Sequence, residues 1–276
     1  MKIGIIAPVF NEAPWIGYSI MDVLPYVHDI TYTCAKSTDG TDELLDYISA
    51  KYAGNKLRIL RKPEYNFDPH DMKAYNQAFN DAISASESDA VWFKHPDMVC
   101  LNPEKIKDMQ AGPLAWYTNI TSFAGGFDTK ITKGRANKWK NIHLKKFGLH
   151  YYGEYGSVNE DFYHKAITGK EYKFHGLEFD KYPFEVKDSG LIVNHYCELK
   201  GYKRRYEKMK NCLKTLLPNS TDEHISELAA VHPRVTLSQT SDMFSSFEFT
   251  KGQAEVPPII VKYQKEFEDV ISGRKA

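Results

Sequence analysis

An apolar run from Lys2 to Ala7 meets Pro8 and passes at once into Val9-Phe10-Asn11-Glu12. A short, unbroken apolar stretch that ends this way reads as a buried strand of a parallel sheet, and a parallel sheet needs helices on its faces. The chain then repeats the unit. His28 to Ala35 reads as a second strand, with Ile30, Tyr32 and Cys34 alternating against more polar neighbours, and it ends at Ser37-Thr38-Asp39-Gly40-Thr41-Asp42-Glu43. There Gly40 permits a tight turn, and the threonine and acidic residues after it start a helix. Leu57 to Leu60 is a short third strand. Met72, Tyr75, Phe79, Ala82 and Ile83 recur at helical spacing, and Ala90 to Phe93 is a fourth strand running into His95-Pro96-Asp97. This alternation predicts an α/β fold on a mixed, mostly parallel sheet flanked by helices, with ligands bound beyond the carboxyl ends of the strands.

At 276 residues the chain suits one such domain with additions and is short for two. Lysine plus arginine equals aspartate plus glutamate, 36 of each, so no global field selects a polyanionic partner. The four cysteines, Cys34, Cys100, Cys197 and Cys212, include no Cys-x-x-Cys pair. That argues against a zinc site and a disulfide framework, and a reducing cytoplasm is the expected location. Ile3 to Phe10 is too short for a signal peptide, and no stretch reaches the roughly 18 apolar residues of a membrane span, so a soluble protein is expected. Residues 1–192 are predicted to form the main domain, with 1–109 as its ligand half and 110–192 as its acceptor half. Residues 193–276 are predicted to be a helical extension packed on it. In that extension Ser220-x-x-Glu223 has the form of a capping box, and Ile259, Ile260, Tyr263, Phe267 and Ile271 form the apolar face of a last helix after Val256-Pro257-Pro258.

The Pro8-Val9-Phe10-Asn11-Glu12 opening, the Ser37-to-Thr41 turn and His95-Pro96-Asp97 follow one another as they do in nucleotide-sugar-dependent glycosyltransferases of the GT-A fold, family 2-like. The chain resembles that family over Met1 to about Pro103, less so afterwards. The resemblance implies a GT-A-like, Rossmann-like domain. It also implies an inverting hexosyl- or pentosyltransferase that moves a sugar from a nucleotide diphosphate, UDP favoured, to an acceptor hydroxyl. On the same basis Pro8, Val9, Asn11, Glu12 and Asp39 line the nucleotide, joined by Asn76, Lys94 and His95. The leaving diphosphate's charge must be neutralised, and in this fold a divalent cation held by an acidic motif usually does so. The family's Asp-x-Asp motif falls on His95-Pro96-Asp97, with its first position changed, and His195 resembles a late histidine that serves many relatives as a further ligand. Asp97, His195 and His95 are the metal candidates, and two imidazoles with one carboxylate favour manganese over magnesium. Histidine at position 95 also leaves open a metal-independent enzyme in which Lys200 and Arg204 grip the diphosphate. Cys34 or Ala35 stands where the family has an acid at the end of the second strand, so base recognition either differs from the family's or shifts to Glu12 and Asp39.

Inverting transfer needs a base for the acceptor proton. Asn159-Glu160-Asp161-Phe162 resembles the Glu-Asp motif under the family's acceptor site, which favours Asp161 as base with Glu160 beside it; the same acids also suit any helix start. Glu178 is the second candidate, in a His-Glu element of altered spacing. Lys130, Lys133, Arg135, Lys138, Lys140, Lys145 and Lys146 form a segment with no acid, interleaved with Trp139, and residues 200–214 form a second basic stretch. Such runs are commonly solvated faces. Within the acceptor half, Lys133, Arg135, Lys138, Trp139 and Lys140 are also candidates for binding a polyanion, such as DNA carrying a hydroxylated base, in place of a saccharide. A non-catalytic nucleic-acid-binding protein on the same fold is the alternative from a different class. A nucleotidyltransferase would need a glycine-rich basic loop after the first strand, and that loop is missing.

Overall fold

The computed structural model describes residues 1–62, 65, 72–113, 115–124, 127, 129–133, 138–145, 149, 151–152, 157–158, 186–198, 220–224, 226, 248–251 and 256–274. The first strand, β1 (Ile3–Val9), is buried at every residue. It lies between β2 (Asp29–Cys34) and β4 (Ala90–Phe93), parallel to both, and β3 (Leu57–Arg61) extends the parallel half beyond β2. Three helices connect these strands: α1 (Ala13–Met21), α2 (Thr41–Ile48) and α3 (Met72–Ala85).

Pro8 does not end the first strand as the sequence suggested; it pairs with Thr33 inside β1. The carbonyls of Ile3 and Val9 accept from His28 and Ala35 on the β2 side, so the backbone groups of the even-numbered residues face β4. Pairing with β4 stops at Ile6. Pro8 therefore lacks its N–H at a point where no ladder bond is required of it.

Beyond β4 the sheet turns antiparallel through β8 (Lys138–Leu144), β6 (Ala115–Ala124), β7 (Thr129–Lys133) and β12 (Glu248–Lys251), giving the order β12-β7-β6-β8-β4-β1-β2-β3. On its other edge β6 pairs in parallel with β11 (Val186–Glu198), which also takes the short β5 (Met98–Cys100) antiparallel to itself. A separate two-stranded ladder joins β9 (Tyr151–Tyr152) and β10 (Ser157–Val158). The α/β class is that expected from the sequence. The expected boundary at 192/193 is not a boundary in the structure, because β11 runs through it, bonded to β6 on both sides. Nor are the described residues after 193 all helical, since β12 adds a strand next to β7. At the expected capping box, the cap is one residue later: the Thr221 hydroxyl accepts the His224 N–H at 3.2 Å.

The last helix, α4 (Pro258–Ile271), turns Ile260, Tyr263, Phe267 and Val270 inward; three of these belong to the expected apolar face, whose Ile259 and Ile271 are half-buried, while Val270 was not expected. It packs on α1 and α2. Gly17 allows this approach, since a Cβ there would lie 2.6 Å from two carbons of the Phe267 ring. That ring is held by a parallel stack on Tyr263 at 5.3 Å. At the rim Glu266 accepts hydrogen bonds from Tyr52 at 2.5 Å, Tyr47 at 2.8 Å and Lys51 at 3.1 Å. Burial alone would raise the Glu266 carboxyl, but these bonds outweigh it and hold it at about 2. Among the described residues no helix is long and apolar enough to cross a membrane.

Two predictions follow from the docking of α4. Gly17→Ala should destabilise the protein by about 1–3 kcal/mol through overpacking, and Phe267→Leu in the same chain should recover part of that loss in chemical denaturation. Because the folded-state value of Glu266 is depressed, its contribution is present above the unfolded value near 4.5 and lost as pH falls toward about 2. Melting curves of Glu266→Gln should therefore lie below wild type at pH 7 and converge with it across that acid range.

Candidate active site at the carboxyl edge of the parallel strands

Parallel pairing brings the ends of β1, β2 and β4 to one edge, so the loops after Val9, Cys34 and Phe93 are neighbours. The first two are laced together. Asn11 has a left-handed backbone, φ 53°, a conformation asparagine tolerates better than most residues. Its Oδ1 accepts the Thr38 N–H at 2.8 Å, and its own N–H donates to Ser37 Oγ at 3.0 Å. The Glu12 N–H donates to Thr41 Oγ1 at 2.8 Å and the Ala13 N–H to Asp39 Oδ2 at 3.1 Å. The other oxygen of Asp39 accepts the Thr41 N–H at 3.1 Å and its hydroxyl at 2.5 Å. Asp39 thus braces the chain itself with both oxygens engaged.

The lacing also uses up the donors of α1. A helix N-terminus usually offers unsatisfied N–H groups to an anion. Here those of Glu12 and Ala13 go to Thr41 and Asp39, Pro14 has none, and that of Trp15 returns to the Glu12 carbonyl at 3.0 Å. A diphosphate at this edge must find its positive partners elsewhere. Pro8 and Val9 are buried and contribute backbone, and Asn76 lies in the second turn of α3. Cys34 is no substitute for the missing acid. It is buried, and burial pushes its thiol up to about 12, so it stays neutral.

The third loop carries His95-Pro96-Asp97. It is a turn closed by the Met98 N–H on the His95 carbonyl at 3.0 Å, and the Asp97 carbonyl accepts the Tyr196 N–H at 2.9 Å. Met98 pairs with His195 across β5 and β11. These contacts bring Asp97 and His195 together from positions about a hundred residues apart in the sequence: His195 Nε2 lies 3.6 Å from Asp97 Oδ1, with the two residues 5% and 3% exposed. Trp139 on β8 presents its ring to His195 at 5.1 Å and to His95 at 6.1 Å, both edge to face. Trp15 stacks on Tyr196 at 4.6 Å, an aromatic floor that the sequence did not signal. The His95 ring centre is 6.5 Å from that of His195. Among the described residues no three histidine, cysteine, aspartate or glutamate side chains are grouped to hold a metal ion. The expected three-ligand set therefore reduces to Asp97 and His195. Two ligands each about 2.0–2.2 Å from one ion are separated by about 3 Å or slightly more, so this pair fits an open site that completes its shell from a substrate.

Lys94, expected to touch the nucleotide, is a core residue. Its side chain is fully buried, and its ammonium donates to the Ser19 carbonyl at 2.7 Å, Ser19 Oγ at 2.5 Å and the Met98 carbonyl at 2.7 Å, with Asp22 at 3.4 Å. Burial lowers the Lys94 ammonium and raises the Asp22 carboxyl to about 6. Part of the basic segment is engaged in internal contacts where it is described. Lys138 pairs with Asp188 at 3.0 Å, Lys145 donates to the Ser86 carbonyl, and burial lowers Lys140 to about 6. Lys133 ends β7, with its side chain outside the described residues. Glu160, Asp161, Glu178, Arg135, Lys200 and Arg204 lie outside the described residues too.

Solved structures of similar shape include S. aureus TarS, with a TM-score of 0.44 and 14% identity over 87% of this chain and 44% of TarS. They also include the TarS 1–349 fragment in complex with UDP, with a TM-score of 0.45 and 14% identity over 98% of this chain and 79% of the fragment. A third is the mannosyltransferase PcManGT from Pyrobaculum calidifontis in complex with GDP-Man and Mn2+, with a TM-score of 0.47 and 10% identity over 86% of this chain and 70% of that one. At such identities the likeness concerns the course of the chain alone. This chain spans under half the length of the longer TarS structure. No family model and no curated protein sequence matches it.

The lacing gives Asp39 a measurable weight. Asp39→Ala should cost about 1–3 kcal/mol in urea unfolding, the scale for buried donors left unmade. An Asp39→Ala protein as stable as wild type would return this carboxylate to ligand binding alone.

Proposed function

We propose that the protein is a glycosyltransferase that moves a sugar from a nucleotide diphosphate donor, a uridine nucleotide favoured, to an acceptor hydroxyl with inversion. One observation carries the reading: the carboxyl edge of β1, β2 and β4 collects Asn11, Glu12, Asp97 and His195. Open α/β sheets seat ligands at that edge. The nucleoside would lie over the ends of β1 and β2, near Glu12 and Asn11. The diphosphate would lie toward the turn after β4. With α1 offering no N–H there, Asp97 and His195 would hold a divalent cation, manganese favoured, that supplies the positive charge the leaving diphosphate needs. The indole of Trp139 flanks the same pair and is of a kind that stacks on a sugar ring. We assign the proton-accepting role to Asp161, with Glu160 beside it and Glu178 as the alternative. The pairing of Lys138 with Asp188 favours a saccharide acceptor over nucleic acid.

Calorimetric titration of UDP in the presence of manganese tests the reading. Binding should be lost on chelation and weakened at least about tenfold, or 1.4 kcal/mol, in Asp97→Ala. Unchanged affinity in Asp97→Ala would return the diphosphate to Lys200 and Arg204. Absence of binding by any nucleotide diphosphate or its sugars would overturn the function.

A further inference from the structure

We propose that Lys94 is the positioning residue of the His95-Pro96-Asp97 turn, an internal ammonium that fixes Asp97 against α1; the proposal rests on the donor-site reading above. An ammonium has three hydrogens and no acceptor. Here all three are used: one on the Ser19 carbonyl at 2.7 Å, one on the Met98 carbonyl at 2.7 Å, and one toward Ser19 Oγ at 2.5 Å with Asp22 at 3.4 Å beyond it. Ser19 Oγ in turn donates to the His95 carbonyl at 3.4 Å, and Asp22 accepts the Cys100 N–H. Residues on both sides of Asp97, namely 94, 95, 98 and 100, are thus tied to the last turn of α1 and the residue that caps it, Asp22. The Asp97 carbonyl is held from the opposite direction by Tyr196.

Energetics make a purely packing role a poor account of a charge in this place. Two ions removed from water lose several kcal/mol of hydration each, and apolar residues of equal volume commonly do as well or better for stability. What apolar residues do not supply is a donor for the Met98 carbonyl and a donor to Ser19 Oγ that turns its hydroxyl hydrogen toward the His95 carbonyl; buried carbonyls require such partners. Removing the ammonium therefore frees the turn that carries Asp97, even where the core around it refills.

The test is the double variant Lys94→Met/Asp22→Leu, which leaves no unpaired buried charge, read by melting, by amide hydrogen exchange and by UDP titration with manganese. Melting within a few degrees of wild type is expected. Exchange across residues 95–98 should be at least about tenfold faster while β1 amides are unchanged, and UDP affinity at least about tenfold weaker. Unchanged exchange in that segment would overturn the proposal, and so would faster exchange with unchanged UDP affinity. If the double variant does not fold, Ser19→Ala keeps the ion pair, removes the link to His95, and must show the same local loosening for the proposal to stand. Wild-type protein that fails to bind UDP would sink the donor-site reading, and exchange alone would then decide whether Lys94 holds the turn.

Discussion

The pairing of β1 with β2 and β4 is the constraint on which the rest of the molecule depends. Because all three run in one direction and in fixed register, the polar residues that follow Val9, Cys34 and Phe93 must emerge at one edge. Burial of every β1 residue makes a register slip costly, since each side chain would change faces. The helices cover the sheet, and α4 closes over α1 and α2 at a glycine that gives Phe267 its place.

At that edge the chain uses polar groups in two ways. The loops after β1 and β2 satisfy each other and consume the N-terminal donors of α1, so much of what looks like ligand chemistry there is internal structure. The turn after β4 is different. Asp97 and His195 face each other with Trp139 alongside, and the backbone around them is fixed from α1 and from β11. Rigid support behind a small polar cluster is what a preorganised site requires.

The patterns of residues 1–100 made the four strands of the parallel half, the start of α2 and the course of α3 legible, because buried strands and amphipathic helices leave local patterns, whereas α1, buried nearly all round, was not read. They also marked the turn at Ser37 to Thr41 and the position of Asp97. The same local view misjudged Lys94. A lysine beside a site motif looks like a ligand contact, and only the surrounding Ser19, Asp22 and Met98 reveal that its charge is spent inside the core. The expected boundary at 192/193 fell inside β11, a continuous strand whose partners, β5 and β6, come from much earlier in the chain.

By itself the sequence determined the four strands of the parallel half, the helices α2, α3 and α4, and that Asn11, Glu12 and Asp97 follow strand ends at its carboxyl edge. These follow from hydrophobic period and turn chemistry, which act over a few neighbouring residues. Only the tertiary structure decided that His195 meets Asp97 while His95 stands apart, that Asp39 braces α1, and that Lys94 lies beneath the site and not in it. Those outcomes depend on strand register and helix packing across tens to hundreds of residues, and no local pattern in the chain carries that information.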